Sequence, residues 1–365
     1  MKCENSSNSS APNWSGGTQA PSRSRRLEDG PGLYVHIPFC VRKCLYCDFY
    51  SLPTGHGALA KRLNTDAHDA SIFLDALERE LRQLPPDFEP RTIFVGGGTP
   101  TELSTRDFSR LLALIRDSVD LARVAEWSCE SNPGTLTREK AEMLREAGVN
   151  RVSLGVQSFD PKALEFLGRI HSSDEAVAGY RLLRDTGFDN INLDLIYGIP
   201  GVSRATLERD LQTLVDLAPD HAACYCLIFE DGTPLADLRR KGFVKEVDDD
   251  EELEQYSLVR ARLAAAGYHQ YEISNFARPG RESRHNLLYW GPGEYIGCGP
   301  SAHSHWAGAR FGNVRNLDQY CAKLLGGENA HAFEERLDPE KKAREALVMG
   351  LRRIDGVVRA DFKAA

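Results

Sequence analysis

From Leu33 onward the chain alternates short apolar, β-rich runs with longer helical patterns, which confines it to repeated βαβ units around a parallel sheet. The candidate strands are Leu33–Ile37, Thr92–Val95, Glu126–Ser131, Arg151–Gly155, Asn190–Ile196 and Ala222–Ile228, each continuous enough to be buried on both faces. Helical patterns near 70–84, 104–119, 136–147, 173–186 and 203–217 fill the gaps, several opened by a capping Ser or Thr. Crossovers between parallel strands are right-handed, and such sheets place their chemistry at the carboxyl ends of the strands. The residues just past each run are therefore expected to face one site.

Residues 31–240 are expected to form this α/β core. Residues 1–30 are rich in Ser, Asn, Gly and Pro and lack hydrophobic periodicity, so they read as a disordered leader. The leader has no secretory apolar segment, and Arg23, Arg25 and Arg26 follow no amphipathic pattern, so the Asn-X-Ser triplets at Asn5, Asn8 and Asn13 read as accidents of composition. Past residue 240 the rhythm changes: an acidic stretch, Glu246–Glu254, leads into a helix, Tyr268–Ser274 follows, and 279–312 is rich in Gly, Pro and aromatics. A smaller α+β lobe is expected over 241–330, and 331–365 reads as the start of a helical C-terminal region, truncated if the pattern continues.

The chain has 365 residues, with 45 Lys and Arg against 53 Asp and Glu, and this acidic balance gives no broad attraction to nucleic acid or anionic lipid. No stretch approaches the ~20 apolar residues that cross a bilayer, so no integral membrane segment is expected. Nine cysteines, three of them within eight residues, suit metal ligation in a reducing compartment, the cytoplasm, better than a disulfide framework.

Those three, Cys40, Cys44 and Cys47, follow the first strand on one loop. Three thiolates can hold three corners of a cubane and leave the fourth iron open to an external ligand. The same spacing fits a structural zinc with His36 or Asp48 nearby, or one face of a buried helix; Pro38 and the preceding strand disfavour the helix, and zinc usually takes four ligands in paired short spacings. The second strand ends in Gly96-Gly97-Gly98-Thr99-Pro100-Thr101, where glycines let backbone approach a ligand closely.

With Tyr46 beside the cysteines and this glycine run one unit later, the chain resembles the radical S-adenosylmethionine superfamily, which implies a partial (β/α)6 barrel, a [4Fe–4S] cluster and S-adenosylmethionine. From Leu33 to the end, the words Tyr34–Cys40, Glu130-Ser131-Asn132-Pro133, Gly155-Val156-Gln157-Ser158, Gly168-Arg169 and Asp194–Pro200 resemble the oxygen-independent coproporphyrinogen III oxidase-like group and its HemW-type heme chaperone branch. Carried over by position, the resemblance puts cofactor contacts at Tyr34, Gly97, Gly98, Thr99, Glu130, Gln157, Arg169 and Asp194. Carboxylates at 130 and 194 can accept from ribose hydroxyls, and Arg169 can pair with the methionyl carboxylate.

Phe49 stands where the oxidases carry a fourth cysteine, and His285-Asn286-Leu287-Leu288-Tyr289-Trp290 matches the chaperone word His-Asn-x-x-Tyr-Trp. The resemblance therefore implies heme as cargo, an acceptor protein and no coproporphyrinogen oxidation, with the oxidase as the alternative. His285, Asn286, Tyr289 and Trp290 are the heme candidates, since imidazole ligates heme iron, although residue chemistry alone also fits a hydrogen-bonded histidine in an aromatic mini-core. His303 and His305 are weaker candidates. Cys129, Cys224, Cys226, Cys298 and Cys321 read as packing residues, Tyr271–Phe276 has no derivable role, and the sequence allows a homodimer without requiring one.

Overall fold

The structure, a computed structural model, describes residues 30–54 and 70–357, so the leader expected over 1–30, Cys3 included, lies outside the described residues up to position 29. The strands are β1 (Gly32–Ile37), β2 (Phe39–Cys40), β3 (Leu52–Pro53), β4 (Thr92–Gly97), β5 (Glu126–Ser131), β6 (Arg151–Gln157), β7 (Ile191–Tyr197), β8 (His221–Cys226), β9 (His269–Gln270), β10 (Asn275–Ala277), β11 (Tyr295–Cys298), β12 (His303–Trp306), β13 (Ala309–Asn313) and β14 (His331–Glu335). β1, β4, β5, β6, β7 and β8 lie side by side in that order, all parallel. Helices Ser71–Leu81, Thr105–Ser118, Arg138–Ala147, Ser173–Asp185 and Arg204–Leu217 occupy the crossovers, and Ser104, Thr137, Ser172 and Ser203 cap four of them with side-chain oxygens. The result is a partial (β/α)6 barrel.

The strands are not apolar on both sides. Leu33, Val35 and Ile37, Ile93 and Val95, Trp127 and Cys129, Val152 and Leu154, and Leu193 and Leu195 are fully buried on one face against the helices. The alternate positions include Tyr34, His36, Ser128, Glu130, Arg151, Ser153, Asn192 and Asp194, and register sets Glu130 beside Ser153 and Gly155 beside Asp194. A period of two turns this polar row inward along every strand, and an inner face that lines a cavity needs no hydrophobic seal.

Residues 241–330, joined by β14 from the region expected to be helical, extend the same sheet at both edges. β10 and β9 add antiparallel to β8, whereas β11 pairs parallel with β1 and carries antiparallel β12, β13 and β14 outward. Glu80, at the end of the first crossover helix, fastens this extension: its carboxylate accepts from Gly299 N–H (2.7 Å), Asn313 Nδ2 (2.5 Å) and the Tyr320 hydroxyl (2.6 Å). The Tyr271–Phe276 word also has a structural role. Tyr271 Oη meets His221 Nε2 at 2.7 Å, and fully buried Glu272 accepts from Ser274 N–H, closing the β9–β10 turn. Among the described residues no helix is long and apolar enough to cross a membrane.

Candidate functional site

The cysteine loop leaves β1 at Pro38 without forming a helix. β2 and β3 pair across its ends, and Thr54 N–H donates to the Cys40 carbonyl at 2.7 Å. Its middle is pinned at Leu45, whose N–H donates to Leu167 O and whose carbonyl accepts from Leu235 N–H. Leu167 ends the helix Pro161–Leu167, and Gly168 caps that helix in the left-handed region at φ 74°. A Cβ there would press on Leu45, so glycine lets the loop dock and sends the next residue, Arg169, toward the thiols.

One open cavity, with about 780 Å³ of empty space counted out into solvent, is lined by Cys40, Cys44 and Cys47, and also by Gly97, Gly98, Thr99, Glu130, Gln157, Arg169 and Asp194. Four strand ends, those of β4, β5, β6 and β7, and one crossover thus meet the cysteine loop. Tyr34 is the exception among the cofactor candidates: it sits beneath the cavity, its hydroxyl 2.9 Å from His36 Nδ1. His36 Nε2 donates to the Tyr50 carbonyl at 2.8 Å, so both of its ring nitrogens are engaged and it offers no fourth metal ligand.

The glycine run is demanded mainly by the protein itself. A Cβ on Gly96 would collide with the Glu130 carboxylate, one on Gly97 with the His36 ring, and one on Gly98 with the Phe39 and Ile37 carbonyls. Gly97 N–H then donates to Glu130 Oε2 at 3.0 Å and fixes that side chain. Gln157 follows a register shift at the end of β6 and takes φ 71°, a left-handed conformation that costs a side chain about 1–2 kcal/mol. Backbone strain of this kind clusters at ligand sites and active sites. Asp194 accepts from Asn192 Nδ2 (2.7 Å) and Ser153 Oγ (3.2 Å). Ser131, Asn132, Thr135 and Ser153 also line the cavity; the alternation along β5 and β6 is the signal that marks Ser131's neighbour Glu130 and Ser153 as inward-facing.

Burial pushes the Glu130 carboxyl up to about 7, with the Asp194 charge adding to it, and burial pushes Asp194 up to about 6. Burial also raises the Cys40 thiol and moves Cys47 up to about 11. Arg169 faces Cys40 and Asp194, its Nη1 lies 3.4 Å from Cys44 Sγ, and its Nε is buried without a partner. Three thiols beside a guanidinium with an unsatisfied N–H suit an anionic cluster with a carboxylate-bearing ligand next to it. Among the described residues no three His, Cys, Asp or Glu side chains converge on a single-ion site, and a cubane requires no such convergence because each thiolate meets a different iron.

The His-Asn-x-x-Tyr-Trp word forms the helix Arg284–Tyr289 beneath the barrel. His285 is fully buried: Nδ1 meets Thr92 Oγ1 at 2.8 Å, Nε2 meets Tyr289 Oη at 2.9 Å, and the ring stacks on Phe94. Burial lowers its pKa to about 3. This is a hydrogen-bonded histidine in an aromatic cluster, with no free ring nitrogen in this arrangement. Asn286 is partly exposed and outside both cavities, whereas Tyr289 and Trp290 line a second cavity together with His303 and His305.

Comparison with known proteins places this geometry in context. The Radical SAM superfamily profile matches residues 34–214. The chain is 36% identical to the heme chaperone HemW of Bacillus subtilis (strain 168) over 338 residues, 90% of this chain and 85% of that protein. It is 38% identical to the heme chaperone HemW of Mycobacterium tuberculosis (strain H37Rv), covering 95% of this chain and 89% of that protein. Among solved structures, coproporphyrinogen III oxidase (HemN) from Escherichia coli, a radical SAM enzyme, superposes with a TM-score of 0.75 at 27% identity, covering 90% of this chain and 77% of that one.

Proposed function

The chain belongs to the radical SAM superfamily and, within it, to the heme chaperone HemW family, and from that membership we propose that it binds heme for delivery to an acceptor protein, using a [4Fe–4S] cluster with exchangeable S-adenosylmethionine. The observation that carries the cofactor half is the single cavity on which the cysteine loop and four strand ends converge. Cys40, Cys44 and Cys47 are the cluster ligands in this reading; the bound cluster supplies one-electron chemistry toward a sulfonium.

The chain's own residues bind and orient. Arg169 pairs with the methionyl carboxylate, Glu130 and Asp194 accept from ribose hydroxyls, and Gln157 offers a donor and an acceptor from its strained position. Thr99, 3.5 Å from Cys40 Sγ, can donate to that sulfur. The free cysteines suit a reducing compartment such as the cytoplasm.

The likeness to HemN favours a second reading, coproporphyrinogen III oxidation. Against it stands Phe49, 64% exposed at the cavity rim in place of a fourth cysteine. One experiment separates the readings. Anaerobically reconstituted protein should hold iron and sulfide at about four each per chain, bind hemin, pass it to an apo-hemoprotein, and leave coproporphyrinogen III unconverted with S-adenosylmethionine and reductant. Robust protoporphyrinogen formation would overturn the chaperone reading, and a colourless zinc-loaded protein would overturn the cluster.

A further inference from the structure

The second cavity lies between β12, β13 and the helix Pro339–Gly350, and holds about 1460 Å³ of empty space counted out to its mouth. Its floor is aromatic: Tyr289 and Tyr295 meet edge to face at 4.8 Å, with Trp290 beside them, and Phe333 and Met349 close the sides. Flat apolar ligands with polar margins fit walls of this kind.

His305 projects into this space from β12 in a defined tautomer. Its Nδ1 is 3.1 Å from the Gly293 carbonyl oxygen. A carbonyl only accepts, so Nδ1 carries the proton and the lone pair of the neutral ring is on Nε2. An imidazole whose Nδ1–H is held by a backbone carbonyl is oriented as metal-bound histidines are. Two residues earlier on the same face of the strand, His303 packs against Phe333 at 5.6 Å between ring centres.

Glu335 and Glu345 line the cavity too, but two cationic side chains at its margin can take a ligand's carboxylates. Lys342 lines the cavity and makes no ion pair among the described residues, and Arg310 faces the mouth in an ion pair with Glu345 that an incoming carboxylate can exchange. Ion pairs this exposed contribute about 0–1 kcal/mol, so the exchange is cheap. His285 stands in contrast, buried with Thr92 and Tyr289 holding both nitrogens. Tyr289 joins the two, since it lines the cavity and bonds His285.

We propose that this cavity is the tetrapyrrole site and that His305 Nε2, rather than His285, is the axial ligand to its iron, with Lys342 and Arg310 at the propionates. The ligand class rests on the heme-handling reading above; the location and the ligating atom rest on the cavity and the His305–Gly293 hydrogen bond.

The test is hemin titration of the full-length reconstituted protein, read by the heme absorption spectrum and by the iron–imidazole stretch in resonance Raman. His305→Ala should lose the iron–imidazole band and bind hemin at least tenfold more weakly, and added imidazole should restore the band, which a misfolded variant would not allow. His285→Ala should keep the band, and Lys342→Glu should weaken affinity without changing it. A band retained in His305→Ala but lost in His285→Ala overturns this assignment and leaves the chaperone reading standing. If the unaltered protein binds no hemin, the heme-handling reading itself falls, and this assignment with it.

Discussion

Arg169 donates from Nη1 to the Cys44 sulfur at 3.4 Å and from Nη2 to the Gly155 carbonyl at 2.5 Å. One side chain therefore ties the cysteine loop to the end of β6, and its free Nε–H is the donor left over for a ligand. Replacing it with lysine keeps the charge and removes the fork. Arg169→Lys should retain its iron and sulfide yet bind S-adenosylmethionine about 10- to 100-fold more weakly, the range set by losing a charge-assisted hydrogen bond of about 1.5–3 kcal/mol. Equilibrium binding to the reconstituted variant checks this, and unchanged affinity would remove Arg169 from the methionyl site.

Cluster loading should depend on pH through the same loop. Burial holds the Cys47 thiol near 11 and raises Cys40, so in the metal-free chain both are protonated at neutral pH, whereas ligation requires thiolates. Each thiol must then release a proton as iron binds, and raising the pH favours loading. Reconstitution followed by absorbance should be faster and more complete at about pH 8.5 than at about pH 7. In Cys44→Ser the colour should be lost at both values while far-UV circular dichroism stays unchanged.

The core strands and their order were legible because buried β runs and capped helices carry local signals, and Gly168-Arg169 was legible as a word. Its reason was not: the αL cap at Gly168 matters because Leu45 docks there, a contact between positions far apart in the chain. The same limit hid the parallel pairing of β11 with β1 and the placement of the 241–330 strands at both sheet edges. His285 shows a different limit. Its word marks a special place in the chain, but residue identity does not reveal that Thr92 and Tyr289 take both ring nitrogens. The register shift that gives Gln157 its positive φ likewise leaves no mark in the sequence.

That strain separates stability from binding. Glycine reaches φ 71° without a Cβ penalty, so Gln157→Gly should stabilise the fold by up to about 1 kcal/mol. The same change deletes an amide that lines the cavity, so affinity for S-adenosylmethionine should fall. Urea denaturation and equilibrium binding read the two effects, whose signs should oppose. A variant that loses stability would show that the Gln157 side chain contributes more to packing than its backbone costs.

Glu80 joins the first crossover helix to Gly299, Asn313 and Tyr320, and burial pushes its carboxyl up to about 7 despite three donors. Its unfolded value is about 4.3. A folded pKa above the unfolded one means that the folded state holds the proton more tightly, so the stabilisation is fully present below about pH 4.3 and is lost as pH rises through about 7. The difference between those values corresponds to a contribution on the order of 4 kcal/mol. Glu130 and Asp194 shift the same way, whereas buried His36, His171, His221 and His285 are held neutral and oppose them as pH falls through about 6.5, so the share of Glu80 is read by comparing urea denaturation of the metal-free protein with that of Glu80→Gln at about pH 5.5 and about pH 7.5. Glu80→Gln carries no titrating proton and should lose more stability relative to the unaltered chain at about pH 5.5 than at about pH 7.5, whereas Glu80→Ala, which strands three donors at the junction, should lose about 2–4 kcal/mol at either pH. A Glu80→Gln profile parallel to that of the unaltered chain would assign the pH dependence to the other buried carboxylates and histidines.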